Sequence, residues 1–425
     1  MRRMAGALLV SSMLMIGCHS GDHRDVRTGA EIVLELDMET GTRSILPDEW
    51  LVSDINLLIY NEEGLLEEQR FLSGRQLTVF QGEIHLNTTL LTGVPYDVFV
   101  CANIGYALPA LNREEAETYR YHLAYPDEYT RGIPMSGRLD GFILEEDGTA
   151  ARIPLIRTMA RIDLQLNRKG LDSDVSFLVT SVTVRNGPSS VCLFSESRAE
   201  SASQVFPNGF VLDGKQVQAL NIDETLGVSG TVSLYLPENL QGDLLETDDE
   251  REKSFTEGRY EEVCSYLEIR GTYHSSTLHT QAGESLTYRF YLGDGPGNFD
   301  VERNTACRVI VCLQGDGLSE DGWRVEKGHL VGETRFDLHP AAYNECQPGD
   351  DFHLWCDVLP EDTPFEIEPV AWDDDDRVHA LYTFDIDPDG HGLTVHTWKG
   401  GSVLVHFKAG APVNRDTLAL VVIGP

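Results

Sequence analysis

The sequence predicts an all-β protein built of several sandwiches in series. Short runs alternate apolar and polar residues, as in Ala30-Glu-Ile-Val-Leu-Glu-Leu-Asp37, and a period of two places one set of side chains on one face of a strand. Gly, Pro, Asn and Asp clusters punctuate these runs, notably Asn186-Gly-Pro188 and Gly293-Asp-Gly-Pro-Gly-Asn298, as turns between strands require. A single stretch carries a helix signature: Asn112 with Glu115 three residues on makes a capping pair ahead of Ala116, Tyr119 and Leu123, and Pro126 bounds the far end.

The chain opens on Arg2 and Arg3, then an apolar run from Ala5 to Ile16, then Gly17 and Cys18. A positive head, a core too short to span a bilayer and a small residue at the cut mark an export signal. Leu14-Met-Ile-Gly-Cys18 looks like a bacterial lipobox, in which the cysteine thiol is acylated and becomes the new N-terminus. Acyl chains bury about 0.8 kcal/mol per CH₂, so lipid on Cys18 would tether the body durably. Losing residues 1–17 of 425 leaves 408, enough for two or three domains.

After a polar tether the strands run in order. Ala30–Asp37, Val52–Tyr60, Leu77–Phe80, Glu83–Leu86 and Tyr96–Ala102 form a first β unit, with Asn61-Glu-Glu-Gly64 as a turn. Arg152–Leu155, Ala160–Leu166, Phe177–Arg185, Val232–Leu236, Leu267–Tyr273, Thr287–Leu292 and Cys307–Leu313 form a second, and the highly charged Asp243–Tyr260 reads as a loop or short exposed helix. From about Leu330, Val370–Trp372, Val378–Phe384, Leu393–Trp398, Ser402–Phe407 and Thr417–Ile423, with tight turns such as Pro388-Asp-Gly390, suit a small Ig-like sandwich. No repeat of 20–50 residues is visible. The divisions expected are 1–17 signal peptide, 18–29 lipidated tether, 30–140 and 141–328 sandwiches, and 329–425 Ig-like sandwich.

The formal charge of −36, or −38 once Arg2 and Arg3 are removed with the signal, repels nucleic acid and anionic headgroups. Beyond Cys18 there are seven cysteines, with no Cys-x-x-Cys pair and no zinc spacing. Cys307 and Cys312 fall on opposite faces of one strand and are not expected to bond; Cys346 and Cys356 can close a small loop in an exported chain. The others read as buried free thiols.

Several phrases resemble the fimbrillin-like lipoproteins of Bacteroidales, which include the anchor subunits of type V fimbriae. They are Asp54-Ile-Asn-Leu-Leu-Ile-Tyr60, Tyr96-Asp-Val-Phe-Val-Cys-Ala-Asn-Ile-Gly105, Pro134-Met-Ser-Gly137, Leu155-Ile-Arg-Thr-Met-Ala-Arg-Ile-Asp163, Leu234-Tyr-Leu-Pro-Glu-Asn-Leu-Gln-Gly242, Tyr288–Gly293 and Asn298–Asn304. The resemblance implies two transthyretin-like β-sandwiches in tandem, a cell outer membrane location, and other fimbrial subunits, with host protein or glycan, as partners. In members that polymerise, the first strand is cut off at an arginine and a partner's strand fills the groove. Arg43-Ser44 sits in the matching place, either as a processing site or as an ordinary solvated arginine in a chain that keeps its tether. A shaft subunit would end in a free donor strand, whereas Thr417–Ile423 reads as part of its own sandwich.

Catalytic signatures are missing: Gly227-Val-Ser-Gly230 is not a nucleophile elbow, and no His-Glu-x-x-His, phosphate loop or dinucleotide fingerprint occurs. Neither enzyme activity nor a cofactor is expected. Asp385-Ile-Asp-Pro-Asp-Gly390 copies the first half of a calcium loop, but the closing twelfth position is His396. Asp385, Asp387 and Asp389 are therefore weak calcium candidates or carboxylates of a hairpin turn. Asp373–Asp376 reads the same way. The tryptophans at 50, 323, 355, 372 and 398 are mostly expected in cores. Were some exposed, a glycan-binding surface lipoprotein would be the alternative to a fimbrial anchor or accessory adhesive subunit working by β-strand exchange.

Overall fold

A computed structural model describes residues 27–36, 49, 51–80, 82–127, 129–145, 150–221, 227–255, 258–278, 284–318, 325–328, 335–359, 363–371, 382–409 and 414–424. The first unit holds β1 (Arg27–Leu36), β2 (Asp54–Tyr60), β3 (Leu66–Ser73), β4 (Glu83–Leu91), β5 (Pro95–Ala102), β6 (Arg120–His122), β7 (Met135–Ile143) and β8 (Ala151–Arg157). Pairing runs β3-β2-β5-β7-β8-β1-β4, but β7 and β8 share only Met135↔Arg157 and Ser136↔Ile156. That short corner folds the sheet into two layers, whose inner residues Ile32, Leu34, Ile55, Leu57, Ile84, Val98 and Ile153 make one core. At the corner Gly137 leaves no room for a side chain, since a Cβ there would lie 2.4 Å from the Pro154 carbonyl oxygen. The expected boundary at 140 falls inside β7. Since β8 pairs with β1, the first unit runs through Arg157.

The second unit holds β9 (Met159–Leu171), β10 (Val175–Arg185), β11 (Ser190–Cys192), β12 (Phe210–Val211), β13 (Val232–Pro237), β14 (Tyr266–Ser275), β15 (Glu284–Tyr291), β16 (Ala306–Gly315) and β17 (Val325–Gly328). Sheets β12-β10-β14-β15-β17 and β13-β9-β16 enclose a core of Ile162, Leu164, Val182, Val184, Leu234, Ile269 and Val311. The topology of the first unit recurs here. Strand β1 lies between antiparallel β4 and parallel β8, and β9 lies between antiparallel β13 and parallel β16. The run β2-β5-β7 is matched by β10-β14-β15. No sequence repeat announced this, because alternation alone specifies a strand and leaves side-chain identity free to drift.

The third unit comprises β18 (Arg335–His339), β19 (Tyr343–Cys346), β20 (Asp351–Leu359), β21 (Phe365–Ala371), β22 (Tyr382–Ile386), β23 (Gly392–Thr397), β24 (Gly401–Ala409) and β25 (Asn414–Val422). Sheets β18-β20-β23-β22 and β19-β25-β24-β21 face each other over Leu354, Cys356, Leu393, Val405, Phe407 and Leu420. The last strand is interior to its sheet, as expected. The all-β class and the three sandwiches agree with the sequence.

Local departures have nonlocal causes. The helix keeps its Asn112–Glu115 capping box but spans only Arg113–Glu117, because Arg120–His122 pairs with β11. Leu77–Phe80 is not a strand; β3, across the Asn61–Gly64 turn, pairs with β2 instead. The charged segment after Asp243 is not simply exposed, for Lys253 is buried with its ammonium 2.7 Å from the Gly295 carbonyl and over the Phe299 ring. Cys346 and Cys356 are free thiols in one core rather than a loop-closing pair, Cys101, Cys192 and Cys264 are buried free thiols, and Cys312 is exposed.

Both faces of β2 are buried along its whole length. One face joins the first core. The other, with Leu58, Tyr60, Phe99 and Cys101, packs on the insert 103–134, on Val191, Leu193 and Phe206 of the second unit, and on Tyr343, Leu404 and Ala419 of the third. Two polar side chains of β2 are satisfied by the insert backbone: Asp54 accepts from the N–H groups of Ile104 and Gly105 at 2.9 and 3.0 Å, and Asn56 donates to Tyr106 O and accepts from Leu108 N. Tyr343 donates to Gly209 O at 2.6 Å, and the Asn208 amide to Thr417 O. The third sandwich is thus docked on both others rather than strung beyond them.

His122 sits in that joint with Nδ1 3.1 Å from Ser402 Oγ. Burial, then the Arg120 charge, lowers its pKa to about 4 from 6.5. Between those values the unfolded chain binds more protons than the folded one, so stability rises with pH. Acidification from pH 6.5 to 4 is expected to lower the melting temperature, with a smaller drop in His122→Asn. Equal drops in the two proteins would exclude His122 as the cause.

Candidate functional site

Strand β1 is held between two neighbours, β8 and β4, in the first sandwich. Its alternation turns Ala30, Ile32, Leu34 and Leu36 into the first core. Fully burying each large aliphatic side chain is worth about 1.5–3 kcal/mol. On the outer face its carboxylates are latched to both neighbours. Glu31 lies 2.9 Å from His85 Nδ1 on β4, and His85 Nε2 is 3.2 Å from Glu83. Glu35 is 2.5 Å from Arg152 on β8, which also reaches Glu83 at 3.0 Å. Hydrogen bonding to Glu31, then to Glu83, raises the His85 pKa. These pairs are exposed and screened, so they set register more than stability.

Strand β1 pairs on both sides, with nine residues of β4 and five of β8. Its removal would leave β4 and β8 about two strand spacings apart, close to 10 Å, with two facing rows of unpaired N–H and C=O groups above an apolar floor. Such a gap accepts an extended strand of alternating pattern and little else. Cys18, Arg43 and Ser44, the residues read as lipidation and processing sites, lie outside the described residues.

The phrases that carried the family resemblance hold the units together. Asn103, at φ 64°, donates through its amide to Leu51 O and Ile133 O. Arg157 reaches Asn304, and Arg161 reaches Glu49 at 3.2 Å. Glu238 is buried and takes the Arg303 guanidinium at Nε (2.8 Å) and Nη2 (2.5 Å). Asn239 accepts from Ala199 N and donates to Val263 O. Gly293 at φ 138° has no space for a Cβ, which would meet Asn298 O at 2.0 Å. None of these groups is arranged for bond-making chemistry.

The outer face of β18-β20-β23-β22 gathers side chains that sequence reading treated separately. Trp355, 38% exposed, stands between the His339 and His353 rings, at centroid distances of 5.0 and 5.4 Å. Trp398 is 59% exposed. The core expectation fails for both: Trp355 falls on an outward position of β20, and Trp398 lies just past the end of β23, in the connection to β24. Asp385 is 3.2 Å from His396, Asp387 is 2.8 Å from His353, and Asp389 accepts from the His391 N–H. Hydrogen bonding to Asp351, then to Asp385, raises the His396 pKa. The three calcium candidates thus turn to separate partners, and among the described residues no group of three His, Cys, Asp or Glu is placed to hold a metal. Asp373–Asp376 and the tryptophans at 50, 323 and 372 lie outside the described residues.

Truncating β1 inside and outside separates its two attachments. Ile32→Ala is expected to cost about 2–5 kcal/mol in denaturant unfolding, through lost transfer energy and the cavity left behind. His85→Ala is expected to change stability far less. A larger loss in His85→Ala than in Ile32→Ala would show that the latch, not the core, retains the strand.

No helix among the described residues is long and apolar enough to cross a membrane. No curated protein matches the chain in sequence. A domain family of unknown function (DUF4906) matches residues 234–310, which cover β13 to β16 of the second sandwich. Among solved structures, the chain is similar to a fimbrilin from Porphyromonas gingivalis W83, with 11% identity, a TM-score of 0.42, and coverage of 70% of this chain and 95% of that one. It is also similar to a fimbrial assembly protein from Parabacteroides distasonis ATCC 8503, with 11% identity, a TM-score of 0.37, and coverage of 67% and 91%. The similar structures come from the same bacterial order as the family resembled in sequence.

Proposed function

We propose that the chain is a lipid-anchored, fimbrillin-like protein of the cell surface, acting as an anchor or accessory adhesive subunit of a type V fimbria through β-strand exchange. The observation that carries this reading is the place of β1. It is the middle strand of a three-stranded layer, and the connection that follows it toward β2 contains Arg43-Ser44. Cutting there would free a strand whose groove is lined by the first core. Interior placement of β25 argues against a shaft subunit that donates its C-terminus. The lipobox-like Leu14–Cys18 supplies the outer-membrane tether. The glycan reading built on tryptophan is weakened at Trp355, whose ring already stacks with His339 and His353.

Anchoring and exchange make separate predictions. Palmitate fed to expressing cells should label the protein, and Cys18→Ala should abolish the label and release the protein from the membrane fraction. An arginine-specific protease should cut after Arg43 and only then permit an SDS-resistant complex with a fimbrial subunit, with both effects blocked in Arg43→Ala. Equal labelling of Cys18→Ala would contradict the anchor. A complex that forms equally with Arg43→Ala would contradict processing-dependent exchange.

A further inference from the structure

A cavity of about 290 Å³ opens where the insert of the first unit meets β19 of the third. Tyr121, Tyr129, Thr130, Arg131 and Glu345 contribute to its wall, with Asn103 at one side. Its volume is at the small end of ligand sites, room for one ring rather than an extended molecule. Tyr121, on β6, is only 7% exposed and lines the cavity. Tyr121 shares the cavity lining with Arg131 and Glu345. Burial raises its pKa to about 12, so it remains a donor at any physiological pH.

The remaining wall is charge-balanced. Arg131 Nη2 and Glu345 Oε2 are 3.5 Å apart and come from different units. That loose pair neutralises the site while leaving guanidinium N–H donors and carboxylate acceptors for a third party. Gly105, at φ 87°, makes room for the guanidinium, because a Cβ there would lie 2.1 Å from Arg131 Nη1. Asn103 is fully engaged in holding the loops at Leu51 and Ile133, so the wall is preorganised. Paired donors and acceptors beside tyrosine rings, with no net charge, match a ring bearing several hydroxyls. A chain of charge −36 disfavours anionic versions of such a ring.

We propose that this junction cavity binds the neutral, hydroxyl-rich terminal ring of a glycan. The proposal deepens the adhesive reading but requires neither lipidation nor strand exchange, so its failure and theirs are distinguishable. The test is titration of the full chain with free neutral hexoses, 6-deoxyhexoses and N-acetylhexosamines, and with glucuronic acid, followed by saturation-transfer NMR and calorimetry. At least one neutral sugar should bind, with glucuronic acid weaker. Tyr121→Phe and Glu345→Gln should each weaken binding roughly tenfold, the worth of one good hydrogen bond, while the melting temperature holds. Should Tyr121→Phe unfold the joint, Glu345→Gln and Arg131→Gln provide the same readout from the exposed side. Absence of binding by every neutral sugar, binding untouched by these substitutions, or preference for glucuronic acid would each overturn the proposal.

Discussion

Burial of β2 and β5 on both faces is the constraint from which the rest of the architecture follows. An antiparallel pair in a sandwich ordinarily keeps one face wet. Here Leu58, Tyr60, Phe99 and Cys101 form a second apolar face that must be covered. The insert after β5 covers part of it, the β11 region of the second unit another part, and the third sandwich closes the remainder. Asp54, Asn56 and Asn103 hold backbone groups of the insert, while the Tyr60 hydroxyl is buried without a hydrogen-bond partner among the described residues. Three sandwiches thus pack on one shared layer.

Strand β1 stands outside that weld. It contributes to the first core but not to the shared layer, so losing it would open one sandwich without undocking the three units. Its counterpart β9 is continuous with the interunit network at Thr158 and Arg161, where Thr158 bonds Pro134 and Arg161 bonds Glu49. The two copies of one topology are thereby fitted to different tasks. One central strand is locked between units, while the other is attached by its own apolar face and a screened ionic latch.

Much of this was legible in the sequence where the information is local. Alternation located β1, β9, β10, β14 and β16, and the Asn112–Glu115 box located the helix start. The alternating Asp351–Leu359 was equally readable and passed unnoticed among charged residues, although its inward Leu354, Cys356 and Val358 are a complete strand face. Other features depend on partners distant in the chain. The helix stops early because β11, some seventy residues later, claims β6. The first boundary lies at Arg157 because β8 pairs with β1. The junction cavity joins Arg131 to Glu345 across 214 residues, and no motif spacing could announce it. Among the site residues, the structure separates Asp385, Asp387 and Asp389 onto different partners, a geometry that their Asp/Gly turn spacing conceals.

Strand exchange is tested most directly by complementation. A chain beginning at Ser44, and so lacking β1, is mixed with a synthetic peptide of residues 27–36 while thermal stability and peptide retention are followed. If β1 is an exchangeable strand, the shortened chain folds with a lowered melting temperature, binds the peptide tightly and recovers stability. A shortened chain that is as stable as the whole one and takes up no peptide would contradict exchange at this groove.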